Sequence, residues 1–252
     1  MDEYKNETIE GRNAVTEALR AGRALDKVFI ARGETDRALA FVAAKARAAG
    51  VTVVECDRRK LDAMSVTKAH QGVVAVCAAA HYSTIDDIFA RAAERGEPPL
   101  IVACDEISDP HNFGAIIRSA ECAGAHGVII PKRRSAGLTA IVDKTSAGAA
   151  EHLPVVRVPN LPAALDELKR RGVWIYGTAA EGSSPMWSTD LTGSLCLVIG
   201  SEGDGIGRLV REKCDFLVSI PLLGRVSSLN ASAAAAVLLY EALRQRSAGG
   251  KK

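Results

Sequence analysis

The chain has 252 residues, 48% of them hydrophobic and 25% charged, with a formal net charge of +2, the profile of a globular protein of one large or two ordinary domains. No apolar run approaches a membrane span, and the start, MDEYKNETIEGRN, is acidic and polar where a secretory signal is basic and then apolar. A cytoplasmic protein without a membrane partner is therefore expected, and its near-neutral charge does not by itself announce a nucleic-acid partner.

Six cysteines, at 56, 77, 104, 122, 196 and 214, stand far apart with no Cys-x-x-Cys pair. That spacing argues against a structural metal site or a disulfide scaffold and for reduced, mostly buried thiols. Charge is also evenly divided: residues 1–80 carry 13 basic and 11 acidic groups, and residues 81–252 carry 19 of each. Any basic surface must be local, and Lys132-Arg133-Arg134, directly after an apolar run, is the best candidate.

Residues 9–78 alternate short β-like runs (27–30, 52–56 and 73–78) with helical stretches (13–20 and 36–49), the pattern of a small α/β unit. Residues 81–98 hold a weakly amphipathic segment at 85–93 and end in Arg-Gly-Glu-Pro-Pro, the composition of a linker. The division expected is thus a first domain over 1–80, a linker over 81–98 and a second domain over 99–252.

The second domain repeats strand and helix more strongly. Strands are predicted at 100–104, 127–130, 154–158, 173–176, 195–199 and 216–220, and helices at 113–123, 139–146, 161–171 and 225–246. Continuous apolar strands between helices imply a mostly parallel sheet covered on both faces, and ligands of such sheets bind beyond the carboxyl ends of the strands. Three polar clusters fall at such ends.

The first cluster, DEISDPHNFGAIIRSAECAG, turns at Asp109-Pro110 and enters a helix near Asn112. Asn112 is there either an N-cap or a site residue, and Arg118, six positions on, lies on a different azimuth of the helix, so the two share a site only if Arg118 points across an interface or toward a loop. The second, LVIGSEGDGIGRLVREKCD, runs from a strand into four glycines within eight residues. Its spacing fits neither a dinucleotide fingerprint nor a P-loop, and Glu202 and Asp204 would repel a pyrophosphate, so the loop suits a ligand with a positive or neutral reacting centre. In the third, RVSSLNAS, Ser227, Ser228 and Asn230 are all good caps for the final helix, yet one cap suffices. The surplus polar groups need another use, and three polar turns at strand ends of one sheet point to one composite site.

Asn112-x5-Arg118, Gly200-Ser-Glu202-Gly-x-Gly205, and Ile220-Pro-Leu-x-Gly224 followed by Ser228-Leu-Asn230-x-Ser232 resemble, in order, the three motifs of the SpoU (TrmH-type) RNA ribose 2′-O-methyltransferases. IEGRNAVTEAL and HQGVVAVCA are similar to the L30e/L7Ae-like substrate-binding domain that precedes the catalytic domain in many members. The resemblance implies an α/β fold with a small RNA-binding domain ahead of a SPOUT-type domain with a C-terminal trefoil knot, acting as a homodimer without a metal. It implies S-adenosylmethionine as cofactor, held by Thr178, Gly200, Glu202, Gly203, Gly205, Ile220, Leu222, Gly224, Ser228 and Leu229. It implies a catalytic set of Asn112, Arg118, Glu202, Ser228 and Asn230, with Arg118 reaching in from the neighbouring protomer.

RNA contacts are expected from Arg12, Asn13 and His70 in the first domain and from Arg133 and Arg134 near the site. The resemblance further implies, as the expected target, a guanosine in the peptidyl-transferase P loop of 23S rRNA. The alternatives are a tRNA or another rRNA site, or a non-catalytic RNA-binding or ribosome-assembly protein that kept the fold.

Overall fold

The computed structural model describes residues 8–20, 25–32, 36–65, 68–77, 82–179 and 183–249. Ala78, expected to end a strand, and His81, expected to begin the linker, lie outside them. The chain divides into two compact units, residues 1–81 and 82–252.

The first unit is a four-stranded sheet with helices on both faces. In chain order it comprises β1 (Thr8–Glu10), α1 (Arg12–Arg20), β2 (Leu25–Ala31), α2 (Arg37–Ala48), β3 (Thr52–Cys56), α3 (Arg58–Met64) and β4 (Val73–Cys77). The sheet order is β1-β4-β2-β3, with β2 and β3 parallel and β4 antiparallel to both its neighbours. Side chains of α1 and α2 pack with one face of β2 and β4, and Leu61 of α3 packs on the other.

The second unit runs α4 (Ile85–Arg95), β5 (Leu100–Cys104), α5 (Pro110–Cys122), β6 (Gly127–Pro131), α6 (Ala140–Ser146), α7 (Ala149–His152), β7 (Val155–Val158), α8 (Leu161–Arg170), β8 (Trp174–Thr178), β9 (Ser184–Pro185), β10 (Leu195–Ile199), α9 (Arg208–Arg211), β11 (Phe216–Ser219) and α10 (Ala231–Gly249). The strand order is β7-β6-β5-β10-β8-β11-β9, and every pairing is parallel. The two-residue period of a strand divides each apolar run between two cores. Leu100, Val102 and Cys104 face α5, α6 and α10, while Ile101 and Ala103 face α4 and α8. No helix among the described residues is long and apolar enough to cross a membrane.

Two expectations are corrected here. Residues 85–95, placed in a linker, form α4 within the second unit. Thr84 and Asp87 close a reciprocal capping box, Gly96 ends the helix at φ +63°, and fully buried Ile88 joins the core. Four apolar positions among many charges looked weak in sequence, but they lie on one face. The final helix, expected from residue 225, begins instead at Ala231, because Asn230 takes the cap and leaves 225–230 as an irregular approach.

Candidate active site

Three chain segments meet at the carboxyl ends of adjacent strands β5 and β10. After β5, the N-cap of α5 is Asp109, whose side chain accepts from the His111 N–H at 2.7 Å, with Pro110 at the first helical position. Asn112 is therefore not the cap, and its carboxamide is free for tertiary contacts. After β10, the backbone folds so tightly that a Cβ on Gly200 would sit 2.1 Å from the carbonyl carbon of Gly205. Paired backbone hydrogen bonds between Ser201 and Gly205, at 3.0 and 3.1 Å, close the turn, and Gly205 adopts φ +67°. Only glycine at 200 permits this approach, which presents Glu202 at the tip.

The third segment precedes α10. Asn230 Oδ1 accepts from the backbone N–H of Ser232 at 2.9 Å and of Ala233 at 3.3 Å, and from the Ser232 hydroxyl at 2.6 Å. These are the amides an N-cap satisfies. The other end of the same carboxamide faces the site: Nδ2 donates to Glu202 Oε1 at 2.5 Å and to Asn112 Oδ1 at 2.9 Å. Asn112 Nδ2 donates to the same Glu202 oxygen at 2.9 Å, and the Ala231 N–H approaches it at 3.4 Å. Three donors thus converge on one carboxylate oxygen from residues 90, 28 and 29 positions away in sequence.

Beside this cluster a cavity of about 690 Å³ opens along the ends of β8, β10 and β11, within the size range of ligand pockets. It is lined by Thr178, Gly200, Glu202, Gly203, Gly205, Ile220, Leu222, Ser228 and Leu229, nine of the ten positions expected to hold a cofactor; Gly224 is not on its wall. The wall combines turn backbone and aliphatic side chains with the hydroxyls of Thr178 and several serines, the carboxylates of Glu202 and Asp204, and the Arg211 guanidinium. That chemistry fits S-adenosylmethionine: amides and carbonyls for the adenosine, apolar surface for its ring, and carboxylates near a sulfonium.

Asp105, which sequence reasoning did not single out, braces the loop from below. It is 6% exposed and accepts from the Gly207 N–H at 2.7 Å. Burial pushes its carboxyl up, partly opposed by that hydrogen bond. The visible signal was an acid placed directly after the buried run LIVAC.

The remaining expected residues divide. Ser228 lines the cavity. Arg118 is exposed and makes no hydrogen bond or ion pair with any described residue; six steps along α5 put it about 120° around the axis from Asn112, so one chain does not bring it to the cluster. Arg133 is exposed, and Arg134 pairs with Glu106 at 2.9 Å. In the first unit, Arg12 pairs with Asp36 at 2.5 Å and Asn13 is exposed. His70 is corrected: it is 2% exposed, held by Asp62 at 3.0 Å and by the Gly72 N–H at 3.0 Å. A ring enclosed and bonded at both nitrogens braces its turn and is not exposed for the expected RNA contact. All six thiols are free, with Cys122 exposed, and no metal-binding group is found among the described residues.

Residues 99–240 match the SpoU rRNA Methylase family and residues 8–83 match the RNA 2′-O ribose methyltransferase substrate-binding family. The chain is 43% identical to the 23S rRNA (guanosine-2′-O-)-methyltransferase RlmB of Ralstonia nicotianae over 96% of this chain and 97% of that protein. It is 47% identical to YacO of Bacillus subtilis, a protein named for the TrmH tRNA/rRNA methyltransferase family, over 98% and 99% of the two chains. Among solved structures it resembles the SpoU methyltransferase AviRb of Streptomyces viridochromogenes in complex with AdoMet, at 30% identity and a TM-score of 0.63, covering 96% of this chain and 91% of that one. An AdoMet-bound rRNA methyltransferase of Sinorhizobium meliloti is similar at 27% identity and a TM-score of 0.59, covering 94% and 86%. The chain belongs to the SpoU rRNA methylase family, with its SPOUT-type α/β fold, and is an S-adenosylmethionine-dependent RNA methyltransferase.

Proposed function

We propose that this cytoplasmic enzyme methylates the 2′-hydroxyl of a guanosine ribose in the P loop of 23S rRNA, working as a homodimer. The observation that carries the reaction type is the Asn112–Glu202–Asn230 cluster at the mouth of the cavity. The choice of 23S rRNA rests on the 43% identity to a guanosine-specific relative across nearly the whole of both chains.

When bound, S-adenosylmethionine supplies an electrophilic methyl group on a sulfonium sulfur. The residues of this chain must align the ribose oxygen with that methyl and manage the hydroxyl proton. Glu202 is anchored through Oε1 by its three donors, which leaves Oε2 for ligands in the cavity. Asn112 and Asn230 fix that carboxylate, Asn112 keeps one amide hydrogen for the ribose, and Ser228 adds a hydroxyl on the cavity wall. Arg118 comes from the second protomer. A guanidinium stays protonated in proteins, so its role is to orient ribose and phosphate and to stabilise the developing alkoxide.

Of the expected RNA contacts in the first unit, Arg12 and Asn13 remain. The deciding experiment is mass-spectrometric mapping of ribose methylation on RNA from cells with and without the protein, paired with labelled methyl transfer in vitro. Loss of one 23S P-loop mark on deletion is expected. Loss of a tRNA mark instead would reassign the substrate, and binding without transfer would make the protein a non-catalytic binding module.

A further inference from the structure

The ends of the sheet carry a second feature, beside the reaction site and away from the cofactor cavity. β6 and β7 lie next in order after β5, about 5 and 10 Å from it across the sheet. Their carboxyl ends present Lys132, Arg133, Arg134 and Arg157, all exposed, and the loop over 132–139 contains no acidic residue.

This loop is built rather than loose. The Lys132 N–H donates to the Val158 carbonyl at 2.8 Å, and the Ala136 N–H donates to the Ile107 carbonyl at 2.8 Å. The Ser135 hydroxyl donates to the Pro131 carbonyl at 2.5 Å, the Ser108 hydroxyl to the Arg134 carbonyl at 3.2 Å, and the Leu138 N–H to the Tyr82 hydroxyl at 3.0 Å. Arg157 donates to the Lys132 carbonyl at 3.0 Å while its guanidinium lies over the Tyr82 ring, 5.4 Å from the centroid.

Arg134 and Glu106 form an ion pair across the two loops, and both residues hold left-handed backbone, at φ +57° and +56°. Two non-glycine residues in that region cost on the order of 1 kcal/mol each or more. Such a conformation is retained where the surroundings enforce it, and here it accompanies the ion pair that holds Arg134.

From this we infer that Lys132, Arg133, Arg134 and Arg157 form a preshaped rim for RNA phosphates, which seats the strand flanking the ribose held at Asn112. The inference rests on the ribose-methylating function proposed above. It gives the site a polarity, with the methyl donor entering over β8, β10 and β11 and RNA crossing over β5, β6 and β7. Cations carried on a braced loop hold backbone phosphate without reading sequence, and so set register at the site.

The test uses the full chain and a transcript of the 23S rRNA segment that the wild-type protein methylates. For a variant combining Lys132→Ala, Arg133→Ala and Arg134→Ala, affinity should fall by roughly tenfold or more at physiological salt, and the slope of log K against log salt should shrink by about 2. KM for RNA should rise while KM for S-adenosylmethionine and kcat at saturating RNA hold. A second variant with Arg133→Lys and Arg134→Lys keeps the charge and should retain the salt slope. Unchanged RNA affinity and slope in the triple alanine variant, with wild-type turnover, would overturn the rim and leave the proposed function standing. Absence of methyl transfer by the wild-type protein itself would instead sink the function on which the rim depends.

Discussion

Asn230 performs two tasks with the two ends of one carboxamide, and its substitutions separate them. Asn230→Asp keeps an oxygen for the amides of Ser232 and Ala233 but replaces the donor toward Glu202 by a second carboxylate. Methyl transfer should fall at least ~100-fold, the range of a lost positioned group, while thermal unfolding of α10 changes little. Asn230→Ala should lose the activity and also about 1 kcal/mol of stability, the value of a cap; activity and circular-dichroism melts check both. Gly200→Ala acts differently, because its Cβ would overlap backbone rather than a yielding side chain. It should cost roughly 3 kcal/mol in urea unfolding and abolish cofactor binding by calorimetry, since the enforced shift opens the turn. At this scale the motifs were legible because amide, carboxylate and glycine each have few substitutes in these geometries. What spacing did not reveal is who meets whom: Asn112 could have been only a cap until Asp109 was seen to hold the helix start.

Most strands and the longer helices of the second unit were readable from apolar runs, since a strand covered on both faces has no polar positions to blur it. β1, α3, α7 and β9 escaped, being two to seven residues long, too short for any period to register. Another device invisible in sequence joins the start of β5 to the start of β6. His126 is fully buried, and its Nδ1 accepts from the Leu100 N–H at 2.9 Å while Nε2 faces Glu97 at 3.1 Å. Burial lowers its pKa below the ordinary 6.5, more than Glu97 raises it. The unfolded chain therefore takes up this proton first as pH falls, so the stability it contributes is complete above pH 6.5 and declines as pH drops below that value. Protonation also puts a hydrogen on Nδ1 against a donor. Desolvation raises the carboxyls of buried Asp105 and of Asp143, and these act in the opposite sense at lower pH, so a difference measurement isolates the histidine. Urea midpoints of the wild type should fall from pH 7 to pH 5.5 relative to those of His126→Gln, which is less stable throughout but lacks this dependence.

For the whole molecule, parallel strands under helices were foreseeable, but the order β7-β6-β5-β10-β8-β11-β9 was not, because periodicity reports the environment of a strand and never its neighbour. The knot and the dimer entered only through the family resemblance. Arg118 gives the proposed dimer a physical motive: it stands exposed on α5, unpaired among the described residues and turned from the cluster formed by Asn112, so it would serve a ribose only in the site of a second protomer. A symmetric pair exchanging the same residue would complete two sites at once. Arg118→Ala should abolish methylation with cofactor affinity nearly intact, and Glu202→Gln should abolish it from the other side of the site. Mixing the two inactive proteins in equal amounts under subunit exchange makes half the dimers mixed. Each mixed dimer holds one site with both Arg118 and Glu202, so about a quarter of wild-type sites return if the arginine acts in trans. If each chain completes its own site, every site in the mixture lacks one group and activity stays at zero, so a single radiolabel assay on the exchanged mixture decides which protomer supplies the arginine.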